Sequence, residues 1–218
     1  MSIILPETHE AWLQERKRGL GASDAGTILG VNNWKSNTEL WEEKVGLREA
    51  EDIGHKPHVQ YGHDAEPHLR ALFALDHPEL EVTYESPYKM IFSDELPFLF
   101  ATPDGELEEL GTGRHGGLEI KTTEIQNPAQ WAEWKGRIPQ TYYAQVCHQM
   151  LATGWDFVDL VAQIKWTTRE GEKRKETREY HIERHEALED IEALKEATIK
   201  FWHSVETKQR PALILPEI

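Results

Sequence analysis

Asp104 and the pair Glu119 and Lys121, separated by a stretch holding Gly111, Gly113, Gly116 and Gly117, are the side chains of this sequence best suited to chemistry. Two carboxylates brought side by side cannot both stay ionised without a neutralising cation. Mg2+ takes oxygen ligands and keeps positions for water and phosphate oxygens, so such a pair suits phosphodiester hydrolysis. A lysine two residues past Glu119, on the same strand face, can polarise an attacking water or, as the free amine, deprotonate it, and as the ammonium can offset charge developing on a phosphate. Solvated strands also alternate acid and base as cross-strand pairs. The surrounding pattern has to decide.

These side chains meet only if the elements around them bring them together. Leu118 to Thr123 alternates with period two, which sets Glu119 and Lys121 on one face and Leu118 and Ile120 on the other. Strand-like runs at Glu81 to Phe92 and Phe98 to Ala101 precede it, the second ended by Pro103-Asp104-Gly105. Upstream, Glu7 to Lys17 is helix-compatible, Ser23 is placed to cap a helix over Asp24 to Leu29, and Ser36-x-x-Glu39 has the form of a capping box for a helix ending near Gly46. Glu49 to Tyr61, with Gly54 and Pro57, reads as a mobile loop, and Asp64 to Leu75 as a helix with Glu66 in its first turn. Pro139 suits the first turn of a helix through Gln145 and Gln149 that stops at Gly154. Phe157 to Trp166 and Glu176 to Ile182 read as strands, and Leu188, Ile191, Leu194, Thr198, Trp202 and Val205 stripe a last helix. The order predicts an α/β (α+β) fold, a central mixed β-sheet flanked by helices, in one domain over 1–218.

The chain of 218 residues carries 39 acidic and 24 basic side chains, a formal net charge of −15, with eight Trp, six Tyr and six Phe. Such a balance argues against a polyanionic partner unless local basic clusters override the total. The single cysteine, Cys147, cannot form an internal disulfide and excludes a cysteine-ligated zinc or iron-sulfur site within one chain. No run approaches the length of a membrane span and the opening residues lack the form of a signal peptide, so a cytoplasmic protein is expected. His55, His58, His63 and His68 crowd together, but their spacing fits no standard zinc pattern, and they read as loop and surface residues.

Several blocks, kept in order from about Trp12 to Leu151, resemble the lambda exonuclease family, also called the YqaJ viral recombinase family, within the PD-(D/E)XK nucleases. Arg16 followed by Gly19-Leu20-Gly21-Ala22-Ser23-Asp24 is similar to the family's opening signature, and Gly62 to Glu66 to its G-x-x-x-E helix. Ala101-Thr102-Pro103-Asp104-Gly105, Glu119-Ile120-Lys121 and Tyr143-Ala144-Gln145-Val146 resemble its strand end, catalytic E-x-K and glutamine-bearing helix.

The resemblance implies a restriction-endonuclease-like core and a Mg2+-dependent exonuclease, with Mn2+ able to substitute and two ions per site. It implies degradation of one strand of duplex DNA from the 5′ end, leaving 3′ overhangs for a single-strand annealing recombinase. It further implies a ring-shaped homotrimer. Asp104, Glu119 and the Ile120 carbonyl become metal ligands, Lys121 assists catalysis, and Glu66 orients water or holds the second ion. Arg16, Ser23, Thr102 and Gln145 fall on a pocket for the 5′-phosphate, a group that an arginine fork and hydroxyls suit. Trp34, Lys35, Lys135 and Arg137 are candidate DNA contacts, and Trp131 and Trp134 candidate stacking platforms. The rival readings are an endonuclease or repair nuclease without end dependence, and a catalytically silent DNA-binding subunit.

Overall fold

The computed structural model describes residues 1–214. In chain order these form strand β1 (Ser2–Ile4), helix α1 (His9–Arg16), β2 (Leu20–Gly21), a 3-10 turn at Ala22–Asp24, α2 (Ala25–Ile28), α3 (Asn37–Lys44) and α4 (Pro57–Asp76). Then come β3 (Leu80–Thr83), β4 (Met90–Phe92), β5 (Leu99–Ala101), β6 (Gly105–Glu109), β7 (His115–Ile125), α5 (Pro128–Glu133), α6 (Gln140–Thr153), β8 (Phe157–Thr167), β9 (Lys173–Glu183) and α7 (Leu188–Glu206). The fold is mixed α/β, as expected, but the strands form two mixed sheets rather than one. The smaller has the order β1-β4-β5-β2 and the larger β3-β6-β7-β8-β9.

Burial explains the layering. In β8, Phe157 through Ile164 are buried in succession, which marks a strand covered on both faces. On one face, Leu69 and Phe73 of α4 pack on Leu118, Ile120, Phe157 and Val161. On the other, Val146 and Met150 of α6 and Ile191 and Leu194 of α7 pack on Val158, Leu160, Ala162 and Ile164. Helix α6 also touches β4 and β5, so it ties the two sheets together. Beyond it, Leu20, Leu99 and Ala101 share a core with Leu40 and Trp41 of α3 and Phe201 and Val205 of α7.

Several boundaries differ from the sequence expectation for identifiable reasons. Helix α4 starts at Pro57, seven residues ahead of Asp64, because proline lacks only an N–H that the first turn leaves unused. Glu66 therefore sits in mid-helix, not in a first turn. Part of the glycine-rich stretch is strand: a Cβ on Gly116 would lie 2.4 Å from the Phe157 ring, and one on Gly117 2.5 Å from Trp155, so glycine lets these aromatics close on β7. The charged segment Gly105–Glu109, unassigned from its pattern, is β6, and Pro128–Glu133 is α5. Ser23 caps no helix; Asp24 takes the Gly21 N–H instead, at 3.1 Å. The capping box at Ser36 and Glu39 forms as read, and Gly154 ends α6 with φ 72°.

Candidate active site

Asp104 stands in the link between β5 and β6 and is locked to the middle of β7 from both ends. Its N–H donates to the Leu118 carbonyl at 3.1 Å, and its Oδ2 accepts the Ile120 N–H at 2.7 Å. Ile120 lies between Glu119 and Lys121, so one backbone hydrogen bond sets Asp104 beside both. Glu119 and Lys121 share the strand face that the alternation predicted, and they form an ion pair. The Glu119 side chain is only 2% exposed and is enclosed by donors: Gln145 on Oε1 and Gln149, one turn further along α6, on Oε2. Lys121 also lies 5.4 Å from the Tyr142 ring centre.

Glu66 reaches this end of β6 from α4. It pairs with Arg70 one turn on, and Arg70 in turn donates from Nε to the Asp104 carbonyl. The Arg70 guanidinium lies over Tyr84 at 3.5 Å. Arg70, Tyr84 and Gln149 were not singled out from the sequence. The i,i+4 spacing of Glu66 with Arg70, and of Gln145 with Gln149, is the only signal that was available for them.

The electrostatics describe a crowded acidic centre. Burial, then repulsion from Glu119 and Glu66, pushes the Asp104 carboxyl well above its ordinary value, against the pull of Lys121. Burial also raises Glu66, with Arg70 opposing. For Lys121, burial disfavours the ammonium, but Glu119 and Asp104 outweigh it and hold the pKa above that of an ordinary lysine. Lys121 is therefore a charged donor in this arrangement, not a free base. Among the described residues no group of three His, Cys, Asp or Glu side chains is gathered tightly enough to cage an ion. Two carboxylates and the Ile120 carbonyl instead match a hard cation that keeps several of its own waters, as Mg2+ does.

A second cluster forms where β2 lies parallel to β5, with Gly21 opposite Phe100. Arg16 donates to Ser23 Oγ at 2.9 Å and stacks over Trp12 at 4.7 Å, while Arg18 turns away to Glu15. Thr102 follows β5, and its hydroxyl is buried with no partner. Gln145, the fourth candidate, donates instead to Glu119 in the carboxylate network. Beneath lies the buried pair Asp24 and Lys44, 3.0 Å apart, with Lys44 also donating to the carbonyls of Arg16 and Gly19. Burial opposes the Asp24 charge, yet Lys44 and Arg16 hold its pKa below the usual carboxylate range.

The outlying candidates separate. Trp34 is 77% exposed, but neighbouring Lys35 is engaged by Glu43 at 2.8 Å. Lys135 and Arg137 are exposed in the link after α5. Trp134 is only 3% exposed and packs in the core, which removes it as a stacking platform. His55, His58, His63 and His68 are all exposed, in keeping with surface histidines. No described helix is long and apolar enough to cross a membrane.

Comparison with known proteins adds to this geometry. Residues 11–156 match the profile of the YqaJ-like viral recombinase domain. The chain is 29% identical over 216 residues to the uncharacterized protein YqaJ of Bacillus subtilis (strain 168), an alignment covering 94% of this chain and 59% of that protein. The chain thus spans about three fifths of that relative. Among solved structures it is similar to an alkaline exonuclease (LHK-Exo) from Laribacter hongkongensis, with TM-score 0.66 and 22% identity over 91% of this chain and 93% of that one. It is also similar to a phage-related exonuclease from Haemophilus somnus 129PT, with TM-score 0.53 and 13% identity over 87% and 96%. At these identities the likeness speaks for the fold alone.

Proposed function

This chain belongs to the YqaJ-like viral recombinase family, and from that membership we propose that it is a divalent-metal-dependent deoxyribonuclease acting 5′ to 3′ on one strand of linear duplex DNA. The observation that carries the reading is the Ile120 N–H holding Asp104 beside Glu119 and Lys121. Asp104, Glu119 and the Ile120 carbonyl would hold Mg2+ or Mn2+, and Glu66 is the carboxylate available to a second ion. When bound, the cation supplies charge neutralisation at the phosphate and an acidified water. Lys121, kept as an ammonium, offsets charge on the phosphoryl oxygens. Gln145 and Gln149, each donating to one Glu119 oxygen, fix the orientation of that carboxylate. Arg16, Ser23 and Thr102 bind the 5′-phosphate, the unpartnered Thr102 hydroxyl finding its acceptor there. Product 3′ overhangs would pass to a single-strand annealing recombinase, and a homotrimeric ring would keep the enzyme on DNA.

The test compares initial digestion rates on linear duplexes with 5′-phosphate and 5′-hydroxyl ends, with a closed circle as control. The wild type should prefer the phosphorylated end, and Arg16→Ala should erase most of that preference, roughly tenfold to a hundredfold. Asp104→Ala, Glu119→Ala and Lys121→Ala should each abolish cleavage while the thermal melt persists. Chelator should abolish it in the wild type, with recovery in Mg2+ or Mn2+. Equal rates at both ends, or cutting of the circle, would favour an endonuclease instead.

A further inference from the structure

The catalytic face of β7 does not stop at Lys121. It continues through Thr123 to Ile125, and Ile125 is in register with Trp166 of β8, roughly 13 Å farther along the sheet. Trp166 stands edge-on to Trp131 of α5, ring centres 5.1 Å apart at 76°. Beside Trp131 opens a hollow of about 450 Å3 lined by Pro128, Trp131, Ala132, Lys135, Gly136 and Arg178. Arg178 is fixed there: it lies 5.5 Å from the Trp131 ring centre and donates to the Trp134 carbonyl at 2.6 Å and to Glu176. A left-handed turn at Gly136, φ 68°, sets Lys135 on the rim.

The charge of this end runs against that of the molecule. The formal net charge is −15, yet Lys135 and Arg137 stand at this hollow, and neither has a carboxylate within 4.0 Å among the described residues; Lys165, Lys173 and Lys175 alternate to the opposite face of the sheet, under α4. Unpaired cations on so acidic a chain suit a polyanion. A duplex would need only the cations. An aromatic hollow beside them suits a base free of its stack.

Resting on the nuclease reading above, we propose that the Trp131 hollow binds a single-stranded DNA segment continuous with the active site, one unpaired base lying against Trp131 and its phosphates on Lys135 and Arg137. The experiment titrates the full chain, in chelator, with a fluorescently labelled oligothymidylate and with a blunt duplex. Trp131→Ala and Lys135→Glu should each weaken single-strand binding about tenfold, and Trp131→Tyr, which keeps a flat ring, should restore it. The dependence of log affinity on log salt should flatten by about 0.7 for Lys135→Glu. Exposed Lys135 carries the test if Trp131→Ala does not fold. Unchanged single-strand affinity overturns the site, and so does an equal loss for the blunt duplex, which would make this a duplex-backbone surface. If duplex digestion fails while oligothymidylate binding responds as described, the nuclease reading falls and the strand site stands. If digestion succeeds and binding ignores both variants, the strand site falls alone.

Discussion

Arg70 shows what a single side chain adds to the carboxylate cluster. One nitrogen holds the carbonyl of Asp104 and another holds Glu66, while Tyr84 covers the guanidinium face, so two acids from different elements are positioned by one planar fork. Lysine keeps the charge but cannot bridge both. Arg70→Lys should therefore lower turnover about 10- to 100-fold with little change in KM for DNA, read from steady-state digestion of a phosphorylated duplex beside a thermal melt. A second residue-scale effect lies in His148, fully enclosed on α6 with Nε2 on the Phe100 carbonyl at 3.1 Å and Nδ1 without a partner. Burial pushes its pKa down to about 4 from the ordinary 6.5. The unfolded chain thus takes up a proton that the folded chain refuses. The share of stability that rests on this histidine is full above about pH 6.5, falls as pH drops toward 4 and levels off below, by ~3 kcal/mol in all. Urea midpoints across that window should show the slope, and His148→Gln should flatten it. Glu119 and Lys121 were legible because a period of two suffices to put them together. Arg70 and Gln149 were not, because their roles arise only when α4 and α6 meet β7.

Elements decide whether the cluster of Arg16 and Ser23 exists at all. Lys44, at the last turn of α3, reaches across to Asp24 and to the carbonyls of Arg16 and Gly19, so one buried cation pins the segment that presents Arg16 and Ser23. Lys44→Met leaves Asp24 buried without its partner, and a loss of about 3 to 5 kcal/mol in urea denaturation is expected, along with a weaker preference for 5′-phosphate. The helix bearing Lys44 was readable from its capping box, a purely local signal. Helix α4 was readable only in its second half, since Pro57 and Gly62 look like breakers in isolation. In the fold Pro57 occupies the first turn, and Gly62 gives close packing, a Cβ there lying 3.3 Å from Thr122 Oγ1. The charged strand β6 escaped for the opposite reason: its pairing with β3 and β7, not its side-chain pattern, makes it a strand.

At the scale of the molecule, the proposed ring predicts three 25.2 kDa chains per particle in sedimentation equilibrium, and a single-chain mass at working concentration would remove that part of the reading. The order of elements was enough to give the fold class. The division into two sheets was not, because it depends on which distant strands pair. That division has a consequence for the order of assembly. The larger sheet grows mainly from neighbours, β6 with β7 and β8 with β9 across short turns, whereas the smaller sheet closes only when Ser2 finds Phe92 and Leu20 finds Leu99, roughly 80 to 90 residues away. Loop closure of that span comes late in folding, and its contacts are the first to open. Amide protection should accordingly rise along β8 and β9 before β2 and β5. Since Arg16, Ser23 and Thr102 flank β2 and β5 while Glu119 and Lys121 lie on β7, mild denaturant should blunt discrimination between DNA ends before it abolishes hydrolysis.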